Sequence, residues 1–183
     1  METIPPGRFK GLLFLGVGLL LGVILAAVVL FAAAPGGALS APPPATGKPI
    51  PEFSLNNLQG TAVRPVDFQG RPVVINFWAT WCGPCREEMP LFERMSRALQ
   101  GKVVFLAVND NEDLETVRLF AQTNGFSFPI LLDPGGTITS RFYVQSYPTT
   151  FFIDAEGILR AQHIGQLDED LMVRYLEAAG LTP

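Results

Sequence analysis

Cys82 and Cys85 are the residues in this chain whose type and spacing can do chemistry. They stand in Trp81-Cys82-Gly83-Pro84-Cys85, directly after the apolar run Val73–Trp78. Only a thiolate attacks a disulfide, and a free cysteine, with a pKa of roughly 8.5, is mostly protonated at neutral pH. A sulfur at the start of a helix meets unpaired backbone N–H groups and the positive end of the dipole, which favour the anion. Pro84 suits a first helical turn because it has no N–H to lose there. The spacing therefore makes Cys82 an exposed nucleophile and Cys85, one turn on, a shielded resolving thiol. Trp81 would lie against the pair and keep water from one side.

Other uses of the pair are weaker. A structural zinc site takes about four ligands, and C-x-x-C supplies two. His163, the one histidine, is far away in the chain and reads as an ordinary polar residue. A purely structural bridge would close a very short loop, where the entropic benefit is least. No metal and no cofactor is expected. The net charge of −4, with no basic run interleaved with aromatics, argues against a nucleic-acid partner.

The elements that must hold the pair follow from the pattern. Val73–Trp78, Val103–Val108 and Thr149–Ile153 read as buried strands, and Ile130–Leu132 as a shorter one. Ile158–Ile164 follows a turn at Asp154–Gly157 and should form a hairpin with the strand before it. Thr61–Asp67 is a Pro-interrupted strand candidate. Apolar residues at helical spacing mark Cys85–Leu99, with Pro90 expected to kink it, and Glu112–Asn124, stopped by Gly125. Asp168 looks like the N-cap of a last helix. The sum is an α/β fold with a central mixed sheet flanked by helices. The cysteines then fall at the carboxyl edge of that sheet, where sites tend to lie.

Upstream, Gly11–Ala34 is a run of 24 residues with no charged or hydrogen-bonding side chain. As a helix it would span about 36 Å, more than the ~30 Å bilayer core. Arg8 and Lys10 place residues 1–10 on the cytoplasmic side and the rest outside. A cleavable signal peptide is the competing reading, but its apolar stretch is usually shorter. Residues 35–48, rich in Pro, Gly and Ala, read as a semi-extended linker, and residues 49–183 as the globular domain.

Phe77-Trp78-Ala79-Thr80-Trp81-Cys82-Gly83-Pro84-Cys85-Arg86 resembles the thioredoxin superfamily, and more specifically its membrane-anchored TlpA/ResA-like branch. The likeness extends over Glu87–Pro90, over Phe128–Asp133 and over Tyr147–Asp154. It implies a thioredoxin-like fold, a redox-active Cys82–Cys85 disulfide, and a cis bond between Tyr147 and Pro148 beside the sulfurs. The Tyr147 backbone would then pair with an extended substrate. Thioredoxin carries a buried Asp where this chain has Asn76, which cannot titrate. By the resemblance Glu88, three residues past Cys85, takes over the proton transfer, and Asn76 is left as a hydrogen-bonded core group.

These features imply a protein-disulfide reductase of the bacterial cytoplasmic membrane, single-pass, with its catalytic domain outside. By analogy its clients are exported thiol proteins such as apocytochrome c, and its electron donor is a membrane thiol carrier. A disulfide-forming oxidant, or a thiol-dependent client-binding module without turnover, are the alternatives.

Overall fold

The computed structural model describes residues 19–27 and 42–181. The chain divides into two compact units, residues 1–41 and 42–183. In the first, residues 19–27 are helical (α1) and exposed along their length. The expected anchor over residues 11–34 otherwise lies outside the described residues, as do residues 1–10 and residues 35–41 of the linker. Among the described residues no helix is long and apolar enough to cross a membrane.

The second unit is built on one seven-stranded sheet of order β2-β1-β5-β4-β3-β6-β7. Its strands are β1 (Leu55–Asn57), β2 (Ala62–Val63), β3 (Val73–Trp78), β4 (Val104–Asp110), β5 (Ile130–Asp133), β6 (Thr149–Ile153) and β7 (Leu159–Ile164). Its helices are α2 (Gly83–Ala98), α3 (Leu114–Asn124), α4 (Thr137–Arg141) and α5 (Glu169–Ala178). β3 is paired in parallel with β4 and antiparallel with β6, so the sheet is mixed. The thioredoxin-like α/β architecture expected from the sequence is the one observed.

β3 is buried along its whole length, which is why its VVINFW run is β-branched and aromatic with no polar alternation. Successive side chains leave opposite faces of a strand. Val74 and Trp78 accordingly join the core that includes Met89 and Phe92 of α2 and Met172 and Leu176 of α5. Val73, Ile75 and Phe77 join the other, with Phe142 and Phe151. Asn76 shares its parity with Val74 and Trp78, so its amide is turned toward α2. That placement sets up the site.

Asp168 and Gly125 are the helix ends marked in the sequence, whereas α3 starts at Leu114 rather than Glu112 because Asp113 caps it. Asp113 accepts the Thr116 N–H at 2.9 Å at the start of α3, and Asp168 accepts the Leu171 N–H at 2.8 Å at the start of α5. α3 ends on Gly125 at φ 68°, the left-handed region glycine enters without penalty. α2 continues unbroken through Pro90, whose missing N–H costs it one bond of the ladder.

Three features depart from the expectation. The strand candidate Thr61–Asp67 is extended only over Ala62–Val63, and Pro65–Phe68 is a 3₁₀ turn. Pro65 has no N–H for a ladder, and the Asp67 carboxylate folds back to accept the Arg64 N–H at 3.1 Å. β1 is a short, three-residue strand between β2 and β5, antiparallel to both, with no periodicity to announce it. α4 is a five-residue helix whose first amides are met by Asp133, which accepts from the Ile138 and Thr139 N–H groups at 3.0 and 2.7 Å.

The segment Gly47–Pro49 lies against the turn end of the β6–β7 hairpin. Gly47 N–H donates to the Leu159 carbonyl at 2.8 Å, and Leu159 N–H donates back to the Lys48 carbonyl at 2.9 Å. Pro49 forms a bridge with Ile158.

Candidate active site

β3 ends at Trp78, and three residues later the chain turns into α2 with Cys82 as its N-cap. Cys82 has extended dihedrals, and its Sγ accepts the Cys85 N–H at 3.2 Å, one of the donors that a helix start leaves unpaired. Pro84 lies in the first turn, where no donor is needed. Cys82 and Cys85 are joined in a disulfide, with their Cα atoms 5.3 Å apart. Cys82 is less open than the sequence reading anticipated, at 5% exposure, but Cys85 has none. Of the two sulfurs, Cys82 is the one nearer the surface.

Trp81, immediately before the pair, is 67% exposed. Its ring meets Tyr147 edge-on, with centroids 5.8 Å apart. The Tyr147–Pro148 peptide bond is cis. Tyr147 Oη donates to Asp110 Oδ2 at 2.7 Å, and burial together with that carboxylate pushes the phenol pKa up, so it stays a neutral donor.

Glu88 lies one helical turn beyond Cys85 and is buried, with 1% exposure. Oε1 accepts from Asn76 Nδ2 at 2.8 Å, and Oε2 accepts the Leu167 N–H at 2.9 Å. Burial penalises the charged carboxylate more than these two bonds favour it, and its pKa is raised from 4.5 to about 7. A carboxylic acid in that range exchanges a proton readily near neutral pH. Asn76 Nδ2 also donates to Thr150 Oγ1 at 2.9 Å, whereas its Oδ1 is buried without a partner.

Cys82, Cys85, Trp81, Tyr147 and Pro148, all singled out from the sequence, thus belong to one end of the sheet, with Glu88 and Asn76 in the core behind it. His163 sits on β7, its ring nitrogens 3.3 Å from Tyr175 Oη and from the Gln166 carbonyl. Among the described residues no cluster of His, Cys, Asp or Glu is arranged to hold a metal ion. Sequence reasoning did not find Asp110 and Glu112. Glu112 accepts the Thr80 N–H at 2.7 Å, the Thr80 hydroxyl, and Asn109 Nδ2 at 2.7 Å. The signal for them was the polar tract Asn109–Glu112 at the carboxyl end of an otherwise apolar central strand.

A thioredoxin-like sheet that ends in a C-x-x-C pair capping a helix, with a cis-proline loop beside it, defines a thiol-disulfide oxidoreductase. The chain belongs to the AhpC/TSA family, which it matches over residues 46–162. It is 39% identical over 134 residues to the thioredoxin-like protein YneN of Bacillus subtilis, covering 72% of this chain and 78% of that one. With the thiol-disulfide oxidoreductase ResA of Geobacillus thermodenitrificans it shares 36% identity over 135 residues, covering 73% and 78%. Among solved structures, a putative thiol:disulfide interchange protein DsbE from Chlorobium tepidum superposes with a TM-score of 0.69 at 30% identity, covering 75% of this chain and 99% of that one. The resemblance to ResA-like proteins drawn from the motifs is borne out.

Proposed function

We propose that the chain is a membrane-anchored reductase of disulfides in exported proteins. The observation that carries this reading is Cys82 Sγ capping α2 with the Cys85 amide bonded to it. That arrangement favours a Cys82 thiolate once the pair is reduced.

In the forward direction, the Cys82 thiolate attacks one sulfur of the client disulfide. The client's other sulfur leaves as a thiolate and takes up a proton. Cys85, deprotonated, then attacks Cys82 Sγ and expels the client's remaining sulfur as a second thiolate. Two electrons pass to the client, whose second thiolate likewise takes up a proton from solvent, and the Cys82–Cys85 disulfide is left behind. Glu88 accepts the Cys85 proton in this scheme, a role that suits a buried carboxylate with a pKa of about 7. Trp81, Tyr147 and Pro148 form the surface against which the client lies.

The reducing direction rests on the Gly83-Pro84 dipeptide, which is that of thioredoxin, whose potential is about −270 mV. Clients would include apocytochrome c before haem attachment. An oxidising compartment supplies no electrons, so a membrane thiol carrier would re-reduce the pair from the cytosol. The anchor is residues 11–34, with residues 1–10 inside and 35–48 as the linker to the domain. The apolar side chains of residues 19–25, more than half exposed on a helix, support that assignment.

An insulin-reduction assay tests the activity. Cys82→Ser should abolish turnover. Cys85→Ser should trap the client as a mixed disulfide, which in cells identifies it. Undiminished turnover by the Cys82→Ser variant would eliminate the proposal.

A further inference from the structure

Three consecutive residues at the carboxyl end of β4 fasten three different loops around the cysteine pair. Asp110 accepts from Tyr147 Oη in the cis-proline loop. Asn111 Oδ1 accepts the Gly135 N–H at 2.8 Å in the loop after β5. Glu112 accepts both the N–H and the hydroxyl of Thr80, in the loop that leads into Cys82. Asn111 itself stands at φ 52°, a left-handed turn that asparagine tolerates better than most side chains. Gly136 leaves room for the first of these groups, since a Cβ there would stand 2.8 Å from Asp110 Oδ1.

Two of the three fastenings act on the aromatic residues flanking the sulfurs. Tyr147 is held directly, and Trp81 through its neighbour Thr80. Trp81 is largely exposed, and its edge contact with Tyr147 is a weaker restraint than hydrogen bonds to a carboxylate. Glu112 is further fixed by Asn109, which donates to the same oxygen that Thr80 N–H uses.

We propose that Asp110 and Glu112 are positioning residues that hold Tyr147 and Trp81 as a preformed pair of walls for a polypeptide client. The proposal rests on the reading of Trp81 and Tyr147 as client-binding residues. A protein disulfide, embedded in a chain long enough to touch both walls, benefits because less must be ordered on binding. A small disulfide touches neither wall for long and gains nothing. Asp110 and Glu112 therefore set the preference for protein disulfides over small ones without entering the sulfur chemistry.

The test uses the full-length protein carrying Asp110→Ala, Glu112→Gln, or both. Each is assayed against insulin and against dithiobis(2-nitrobenzoate). KM for insulin should rise about three- to tenfold, the scale of one lost hydrogen bond, while kcat and the small-disulfide rate change little. An equal fall for both substrates, or an unmoved insulin KM, overturns the proposal. Fluorescence anisotropy decay of the exposed Trp81 provides a readout independent of turnover: the Glu112→Gln variant should show faster local motion, and unchanged motion counts against the assignment. If the native protein fails to reduce insulin, the reductase reading falls, while the anisotropy still decides whether Glu112 restrains the wall. Should Asp110→Ala not fold, Tyr147→Phe removes the same bond from its other side and should raise the insulin KM to the same extent.

Discussion

Asn76 on β3 gives one amide hydrogen to Glu88 on α2 and the other to Thr150 on β6, so a single side chain joins the buried Glu88 carboxylate to two strands of the sheet. The neutral residue at the position where thioredoxin has an acid thus becomes a partner of the acid that lies on the helix. Had residue 76 been an aspartate, two buried carboxylates would face each other at hydrogen-bond range, and both could not be ionised together.

The raised Glu88 pKa has a signed consequence for stability. Its folded value of about 7 lies above the ordinary 4.5, so the folded state binds more protons between those limits. Stability should therefore fall as pH rises through that window, by roughly 3 kcal/mol in total. Urea unfolding of the oxidised domain from pH 4 to 8 measures this. Glu88→Gln should flatten the slope, and an unchanged slope in that variant would place its origin elsewhere.

Removing the amide should push the carboxylate further up. In Asn76→Ala, Glu88 loses a donor that favours its charged form, and only the Leu167 N–H remains. The titration of Glu88, followed by the NMR shift of its carboxyl carbon, should move to higher pH. The variant should also lose about 1–3 kcal/mol of stability, because a buried network is left incomplete.

Two polar contacts at helix ends should differ in weight. Asp113→Ala removes the cap of α3 and should lower stability measurably. Arg94→Ala breaks an exposed ion pair with Glu169 at 3.4 Å and should cost almost nothing, since such pairs contribute about 0–1 kcal/mol. Chemical denaturation of the two variants side by side checks the ranking.

The two tryptophans should report separately. Trp81 is 67% exposed and next to the sulfurs, and Trp78 is fully buried. Acrylamide should quench one component of the emission and spare the other, and Trp81→Phe should abolish the quenchable part. Reduction of the disulfide should alter the Trp81 component alone.

Much of this was legible beforehand because β3, β4 and β6 are buried on both faces, which forces continuous β-branched and aromatic runs. The C-x-x-C spacing and Pro84 fixed the start of α2, and Asp168 marked its helix unaided. What stayed hidden depends on pairings between distant segments. β1 is three residues whose reason to be extended is its pairing with β2 and β5, and α4 borrows its cap from Asp133, outside the usual position. The Asn76–Glu88 bond could not be read from either residue alone, since each looks like an ordinary polar group until the sheet sets Asn76 against the helix. Asp110 and Glu112 escaped notice for the same reason: their partners are Tyr147 and Thr80, from opposite ends of the motif.

The bonds that tie Gly47 and Lys48 to Leu159 lie at the turn end of the β6–β7 hairpin. Thr149 and Ile164 close the other end of the same hairpin, next to the cis Tyr147–Pro148 bond. The two ends are a full strand length apart. A label fixed to the exposed Lys48 side chain would therefore sit at the far end of that hairpin from the cis-proline loop and leave the chemistry of Cys82 unobstructed.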